Sequence, residues 1–328
     1  MAYVAAAGCG QHPNQQFDSS KEYSVSGPAG VAVGVRLPLA TDQLPPAELI
    51  AIVRAAEDLG YSSLWFGDHV VLPSATASTY PHTSDGHRPF SADTPWVDPL
   101  LALGWVAGQI GPNMRLGTSV LILTLRNPVL LAKQLSSLSW LSQRGIALGV
   151  GTGWLREEYD AVGAKFEGRA TTARLAIESI RQLVSSGGAE FTVRSHDDTE
   201  RKEQFTMLPR AAGPIEFLWG GVSPAAMRLV ARACDGWIPA KQPLENLSHH
   251  LERLKRACDD AQRDFSELRL VAKPGPGPDP GSGAIDRGTL PCYRELGFSE
   301  VILELPYGPR DAGDAIDVLK RVAVRSGM

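Results

Sequence analysis

Eight short apolar runs recur along this chain, and each is followed by a stretch carrying helical signals. The runs fall at 31–38, 63–67, 114–123, 146–150, 215–219, 236–239, 268–273 and 300–305. They are continuously apolar rather than alternating, the pattern of strands buried on both faces of a parallel sheet. Parallel strands need crossover connections, and the intervening segments supply them. Pro45-Pro46 opens a helix over 47–59, and Gly60 closes it. Asn127-Pro128 opens one over 129–142, and Ser223-Pro224 opens another that runs to Ala233. Further helices are expected over 98–109, 170–185, 245–263, 284–296 and 312–324, with a short one around Glu157, Glu158 and Tyr159. The repeat averages about 37 residues, a little above the roughly 31 of a typical eight-unit barrel. Closure into a (β/α)8 barrel is the natural outcome. A doubly wound open sheet is the alternative, and the count of eight disfavours it.

Three segments stand outside the repeat. Residues 1–30 are rich in Gly, Ser, Gln and Asn without periodicity and read as an N-terminal extension, partly disordered. Residues 187–213 contain two β-like stretches around a charged centre, which suggests an inserted surface hairpin after the fourth strand-helix unit. Residues 70–96 form a long irregular stretch rich in Pro, Ser, Thr, His and Asp, the character of a binding loop or lid. The expected organisation is the extension, 1–30, followed by one barrel domain, 31–328.

Composition excludes several function classes. The chain has 328 residues, 43% of them hydrophobic, enough for a full core. A net charge of -4 does not suit a nucleic-acid or anionic-membrane surface. No apolar run approaches the roughly 20 residues that span a bilayer. The start, up to Cys9, lacks the basic flank and apolar length of a signal segment. Seven histidines show no metal-site spacing, and Cys9, Cys234, Cys258 and Cys292 form no paired motif, so no metal is expected. Reduced thiols fit a cytoplasmic protein.

Three motifs fall where a barrel binds ligands, at the carboxyl ends of strands. The second run ends in Gly67-Asp68-His69. An isolated Asp-His pair is more often a turn cap and a polar loop residue, but a strand end before a long loop favours a site, and imidazole exchanges protons near neutral pH. The fourth run ends in Gly149-x-Gly151-Thr152-Gly153. The fifth ends in Gly220-Gly221-x-Ser223. Each glycine turn alone could be a tight strand-to-helix connection. Together, on neighbouring strands, they would converge on one anion-accepting pocket built from free N–H groups. Ser119 and Val120 lie late in the third strand and read equally well as strand filling. Trp154 is a pocket wall or plain packing. Glu157 and Glu158 read as a solvated helix face.

These residues resemble the bacterial luciferase-like superfamily. The segment LWFGDHVVLP at 64–73 is similar to its strand-two signature, and more narrowly to the branch using the deazaflavin coenzyme F420. The similarity continues through LGTSVLILTLRNPVLLAKQ at 116–134, LGVGTGWLREEY at 148–159, WGGVSPAA at 219–226 and DGW at 235–237, and covers roughly 31–325. It implies a barrel with an insertion, a homodimer, and a flavin-like ring in the barrel mouth. It implies that Asp68 bonds the ring edge and that His69 stands beside the reacting carbon as proton donor or acceptor. It implies a non-prolyl cis peptide at Ser119-Val120 behind the ring, and phosphate binding at Gly151, Thr152, Gly153, Gly220, Gly221 and Ser223. Trp154 departs from the sugar-phosphate dehydrogenases, which carry glutamate there. Ser142-Gln-Arg-Gly145 departs from the usual turn before strand four, and the stretch 274–290 is unusually rich in Pro and Gly.

The resemblance implies an F420-dependent oxidoreductase that moves a hydride between the deazaflavin and a small organic substrate. His69 would handle the proton, and the 70–96 loop and the 187–213 insertion would hold the substrate. One alternative is a monooxygenase that uses reduced FMN and O2 with a partner flavin reductase. Another is a non-catalytic flavin-binding barrel.

Overall fold

A computed structural model describes residues 30–37, 44–83, 85–111, 113–194, 200–239, 241–274, 285–305 and 311–328. The expected extension up to residue 29, Cys9, and most of the 274–283 loop lie outside the described residues. Eight strands close a parallel barrel: β1 (Ala32–Leu37), β2 (Ser63–Phe66), β3 (Arg115–Ile122), β4 (Ile146–Gly151), β7 (Ile215–Trp219), β8 (Gly236–Trp237), β9 (Arg269–Ala272) and β10 (Glu300–Glu304). They neighbour one another in that order, and β10 pairs with β1 through Ala32↔Glu300 to Arg36↔Glu304. The (β/α)8 expectation holds. Strands β2 and β4 are buried almost end to end, which accounts for their continuous apolar runs.

The helices are α1 (Pro46–Asp58), α2 (Pro99–Ala107), α3 (Pro128–Ser142), α4 (Arg156–Ala161), α5 (Arg169–Ser186), α6 (Pro224–Ala233), α7 (Leu244–Asp260), α8 (Leu290–Glu295) and α9 (Ala312–Ser326). Four begin with proline in the first turn behind a side-chain or extended cap. Asn127 accepts from the N–H groups of Val129 and Leu130, Ser223 from that of Ala226, and Asp98 from those of Leu100 and Leu101. The helix expected over 284–296 starts only at Leu290. Asp286 accepts from the N–H groups of Gly288 and Thr289, and that side-chain turn displaces the first helical turn.

Inside the barrel pack Trp65, Ala147, Leu218, Ile238, Val271 and Ile302, with Val120 against them. A larger apolar layer fills the space between strands and helices. The amino-terminal mouth is closed by charge pairing. Arg269 donates to Glu300 at 2.6 Å and to Glu216 at 2.5 Å, Arg115 reaches Glu216 at 3.3 Å, and Trp65 Nε1 donates to Glu300 at 3.0 Å. Paired charges therefore line that end, and the cavity lies at the opposite, carboxyl end.

The 187–213 segment forms the expected hairpin, β5 (Gly188–Arg194) against β6 (Glu200–Thr206), antiparallel and separate from the barrel sheet. Ala189 and Phe191 are buried while most of β6 is exposed, so the hairpin lies on the outer layer.

Candidate active site

At the carboxyl end of β2 the chain runs into Gly67, Asp68 and His69. Any side chain at Gly67 would have to displace the guanidinium of Arg36. A Cβ there would stand 2.1 Å from Nη2 of Arg36, whose guanidinium crosses the barrel mouth. Arg36 Nε donates to the carbonyl of Ser119 at 3.1 Å, and Nη1 donates to Glu304 at 2.7 Å. The Ser119-Val120 peptide is cis, as the resemblance implied.

Asp68 is buried and already engaged. Arg126 grips it with two parallel bonds, Nη1 to Oδ2 at 2.5 Å and Nη2 to Oδ1 at 2.9 Å. Oδ2 also accepts from the N–H of Ile122 at 2.8 Å. Burial raises the pKa of Asp68, whereas the charge and bonds of Arg126 oppose that. A two-armed guanidinium holds the group as a carboxylate.

His69 turns toward α4. Its Nδ1 lies 3.2 Å from Oε2 of Glu158, while Oε1 of Glu158 accepts from the N–H of Val70 at 2.5 Å. Glu158 is only 1% exposed, so the solvated-face reading is wrong for it. Glu157 does face outward, yet it too is bonded. It accepts from Thr76 and Ser78 hydroxyls at 2.9 and 2.7 Å and from the N–H of Ala77 at 2.8 Å. The burial it has would raise its pKa, but these bonds bring it down to about 2. The first turn of α4 thus staples the start of the long loop. A signal for Glu158 existed: Leu155, Glu158 and Tyr159 follow the i, i+3, i+4 spacing of one buried helix face, and all three are buried.

Around His69 stand Trp96, Phe90 and Trp154, with ring centroids at 4.8, 5.4 and 6.2 Å; Tyr80 joins Trp154 at 5.2 Å. Trp154 is therefore part of an aromatic wall. The 70–96 loop supplies Tyr80, Phe90 and Trp96 to that wall, as expected. None of the described residues of 187–213 reaches the cavity, so the expected substrate role of that insertion is not seen; its apolar side is spent on the outer layer.

The two glycine turns meet as anticipated. Val150 pairs with Trp219, and the N–H of Gly220 donates to the carbonyl of Val150 at 2.9 Å. Val120 sits between them: a Cβ on Gly151 would come within 3.1 Å of it, and one on Gly220 within 3.0 Å. Tyr159 donates to the carbonyl of Thr152 and bonds Thr124, which fixes the first turn. Gly151, Thr152, Gly153, Gly220, Gly221 and Ser223 all line one cavity of about 550 Å³ together with Asp68, His69, Ser119, Val120 and Trp154. Arg169, at the head of α5, lines it too and lies over the ring of Phe166 at 3.9 Å.

The opposite side of the cavity was not anticipated. Arg36, Lys241, Lys273 and Glu304 line it. Burial, with Arg36 and Lys241 nearby, outweighs the attraction of Glu304 and lowers the pKa of Lys273 to about 8. Burial would raise Glu304, but Lys273, Arg36 and Lys241 hold it at about 2.

The cavity fits a flat heteroaromatic group with an anionic tail. Ser119 Oγ and Trp219 Nε1 are buried polar atoms at its wall with no hydrogen-bond partner among the described residues. The glycine turns leave room where any side chain would press on Val120. The volume falls within the 300–1,000 Å³ usual for cofactor pockets.

The fold and site define a (β/α)8 enzyme whose reactive groups gather at the carboxyl mouth of the barrel. The family model for luciferase-like monooxygenases matches residues 29–306, and the chain belongs to that family. It is 34% identical, over 69% of its length and 77% of the other's, to an uncharacterised protein of Mycobacterium tuberculosis. It is 30% identical, over 72% of its length and 69% of the other's, to an F420-dependent glucose-6-phosphate dehydrogenase of Intrasporangium calvum. Its fold matches an F420-dependent secondary alcohol dehydrogenase in complex with an F420-acetone adduct, with a TM-score of 0.66 at 15% identity, covering 90% of this chain and 99% of the other.

Proposed function

We propose that this chain is an F420-dependent oxidoreductase acting on a small organic substrate. The observation that carries this reading is His69, held at Nδ1 and standing in the same cavity as the Ser119-Val120 peptide and the two glycine turns. The relationship to an F420-dependent dehydrogenase supports it. The deazaflavin, when bound, supplies hydride transfer. The protein supplies the rest. The Gly220 N–H is taken by the carbonyl of Val150, so the other N–H groups of the glycine turns, with Arg169, receive the anionic tail. Ser119 and Val120 back the ring. Asp68 Oδ1 accepts one bond where Oδ2 accepts two, so Oδ1 is the oxygen left for the ring edge. His69 gives or takes the substrate proton, and the aromatic wall keeps water from it.

Trp154 in that wall, where sugar-phosphate dehydrogenases carry glutamate, argues against sugar-phosphate oxidation. Lys241 and Lys273 favour an anionic end on the bound substrate or cofactor. A homodimer belongs to the same reading, and α2 and α3 carry exposed apolar side chains that suit it. So does a cytoplasmic location; among the described residues no helix is long and apolar enough to cross a membrane.

The family description favours one second reading, a flavin monooxygenase using reduced FMN, O2 and a partner reductase. Spectral titration separates the two. F420 should bind at micromolar concentration or below and FMN at least tenfold more weakly. Binding of FMN alone would replace the first reading with the second. His69→Ala should retain F420 binding.

A further inference from the structure

We propose that Glu158 is a positioning residue that fixes the tautomer of His69, so that Nε2 is the atom presented to the cavity. This rests on the reading of His69 as the proton-handling group, but the tautomer itself follows from contacts within the chain.

An ionised carboxylate only accepts hydrogen bonds. Oε2 of Glu158 lies 3.2 Å from His69 Nδ1, and Oε1 takes the N–H of Val70 at 2.5 Å and that of Val71 at 3.4 Å. Both oxygens therefore face donors. For the neutral ring, the proton must reside on Nδ1, and the lone pair must reside on Nε2. The pair is enclosed: Glu158 is 1% exposed and His69 8%. Phe90, Trp96 and Trp154 surround the imidazole and oppose rotation of the ring about its own axis. The logic is that of a carboxylate behind a catalytic imidazole, where loss of the correct tautomer costs far more than loss of packing. Here the carboxylate comes from α4, directly after the Gly151-Thr152-Gly153 turn. The turn that reads as the anion cradle and the carboxylate that aims His69 are therefore one continuous piece of chain.

A purely structural role, clamping the loop through Val70 and Val71, is the competing explanation, and Glu158→Gln distinguishes them. The amide oxygen must stay on the two backbone donors, which an NH2 cannot satisfy. The amide NH2 then faces Nδ1, which has to accept. The ring proton moves to Nε2 while the clamp survives.

The test uses the full chain with 15N-labelled histidine, without cofactor, at about pH 9, above the ordinary titration range of imidazole. Long-range 1H–15N correlation, assigned with His69→Asn, reads which ring nitrogen is protonated. The parent should show a protonated Nδ1, and an Nε2-protonated ring in the parent overturns the proposal without any variant. Glu158→Gln should show the reversed tautomer; an unchanged one overturns the proposal. Carbethoxylation of His69, followed by mass spectrometry, reports the Nε2 lone pair. It should slow at least tenfold in Glu158→Gln and stay within threefold of the parent in Glu158→Asp. A reversed tautomer with unchanged carbethoxylation would show that Nε2 does not face the cavity, which also overturns it. F420 titration of the same samples is read separately. Absence of binding there would remove the functional reading and leave the tautomer result standing.

Discussion

Arg126 holds Asp68 by both arms of its guanidinium, at 2.5 and 2.9 Å, and so ties the end of β2 to the loop that leads from β3 into α3. Asp68, the fifth residue of the segment LWFGDHVVLP that resembles the family, is thus half of a buried ion pair. Removing one partner leaves the other buried and unpaired. Arg126→Met should lower unfolding free energy by about 3–5 kcal/mol. Arg126→Lys keeps the charge but not the fork, and should recover only part of that. Urea denaturation measures both. A loss below about 1 kcal/mol in Arg126→Met would mean that the pair is solvated and contributes little.

Glu304 predicts the acid limb of stability. Its folded pKa, about 2, lies below the ordinary 4.5, because the cations around it overcome its burial. Between those values the unfolded chain binds the extra proton. The contribution is therefore complete above about pH 4.5 and is lost as pH falls toward 2, and it amounts to about 3 kcal/mol. Glu304→Gln should be less stable than the parent at neutral pH, and the gap should close on acidification through that window. A gap independent of pH would sink the idea.

Much of this site could be read from the sequence, for physical reasons. Strand ends open on the barrel mouth, so the place of Asp68-His69 and the two glycine turns at the cavity is legible from position, and β7 falls on the residues expected for it. The burial of Glu158 is hidden in the sequence because two adjacent acids resemble a wet helix face. Only its phase with Leu155 and Tyr159 shows that it points inward. Arg36, Lys273 and Glu304 were invisible for a different reason. Arg36 and Glu304 are 268 residues apart and become register partners only when β1 closes against β10. No local pattern encodes that closure. The Asp286 turn shows the converse, a local side-chain preference that shortened α8 against its apolar pattern.

Lys273 is an expensive residue to keep. It is 8% exposed, and burial, with Arg36 and Lys241 adding to it, lowers its pKa from 10.5 to about 8 despite Glu304. Below about pH 8 it is charged in both folded and unfolded chains, and the folded state carries the full cost of the buried ammonium, about 3 kcal/mol. As pH rises from 8 toward 10.5 the folded chain releases the proton first, and the cost disappears. Lys273→Met should therefore be more stable than the parent at pH 7, with the advantage shrinking above pH 8 in thermal unfolding. Retention of so costly a group is what the proposed anion contact explains. The same variant should bind F420 or its anionic substrate more weakly. A variant that is stabilised and binds both unchanged would separate Lys273 from the site.

The outer faces of α2 and α3 make the last prediction. Leu101 and Leu141 are each 73% exposed, Leu130 is 65% exposed, and Trp105 and Trp140 are exposed beside them on two helices that pack together. Scattered apolar residues are ordinary on a protein surface, but this many on adjacent helices suit the proposed dimer contact. Light scattering should give twice the chain mass. Leu101→Asp with Leu141→Asp should give the monomer with its fold intact by circular dichroism, because neither side chain is buried within the protomer. A parent protein that is monomeric at about 100 μM, well above the micromolar range typical of specific association, would remove the dimer from the proposed reading without touching the barrel-mouth chemistry.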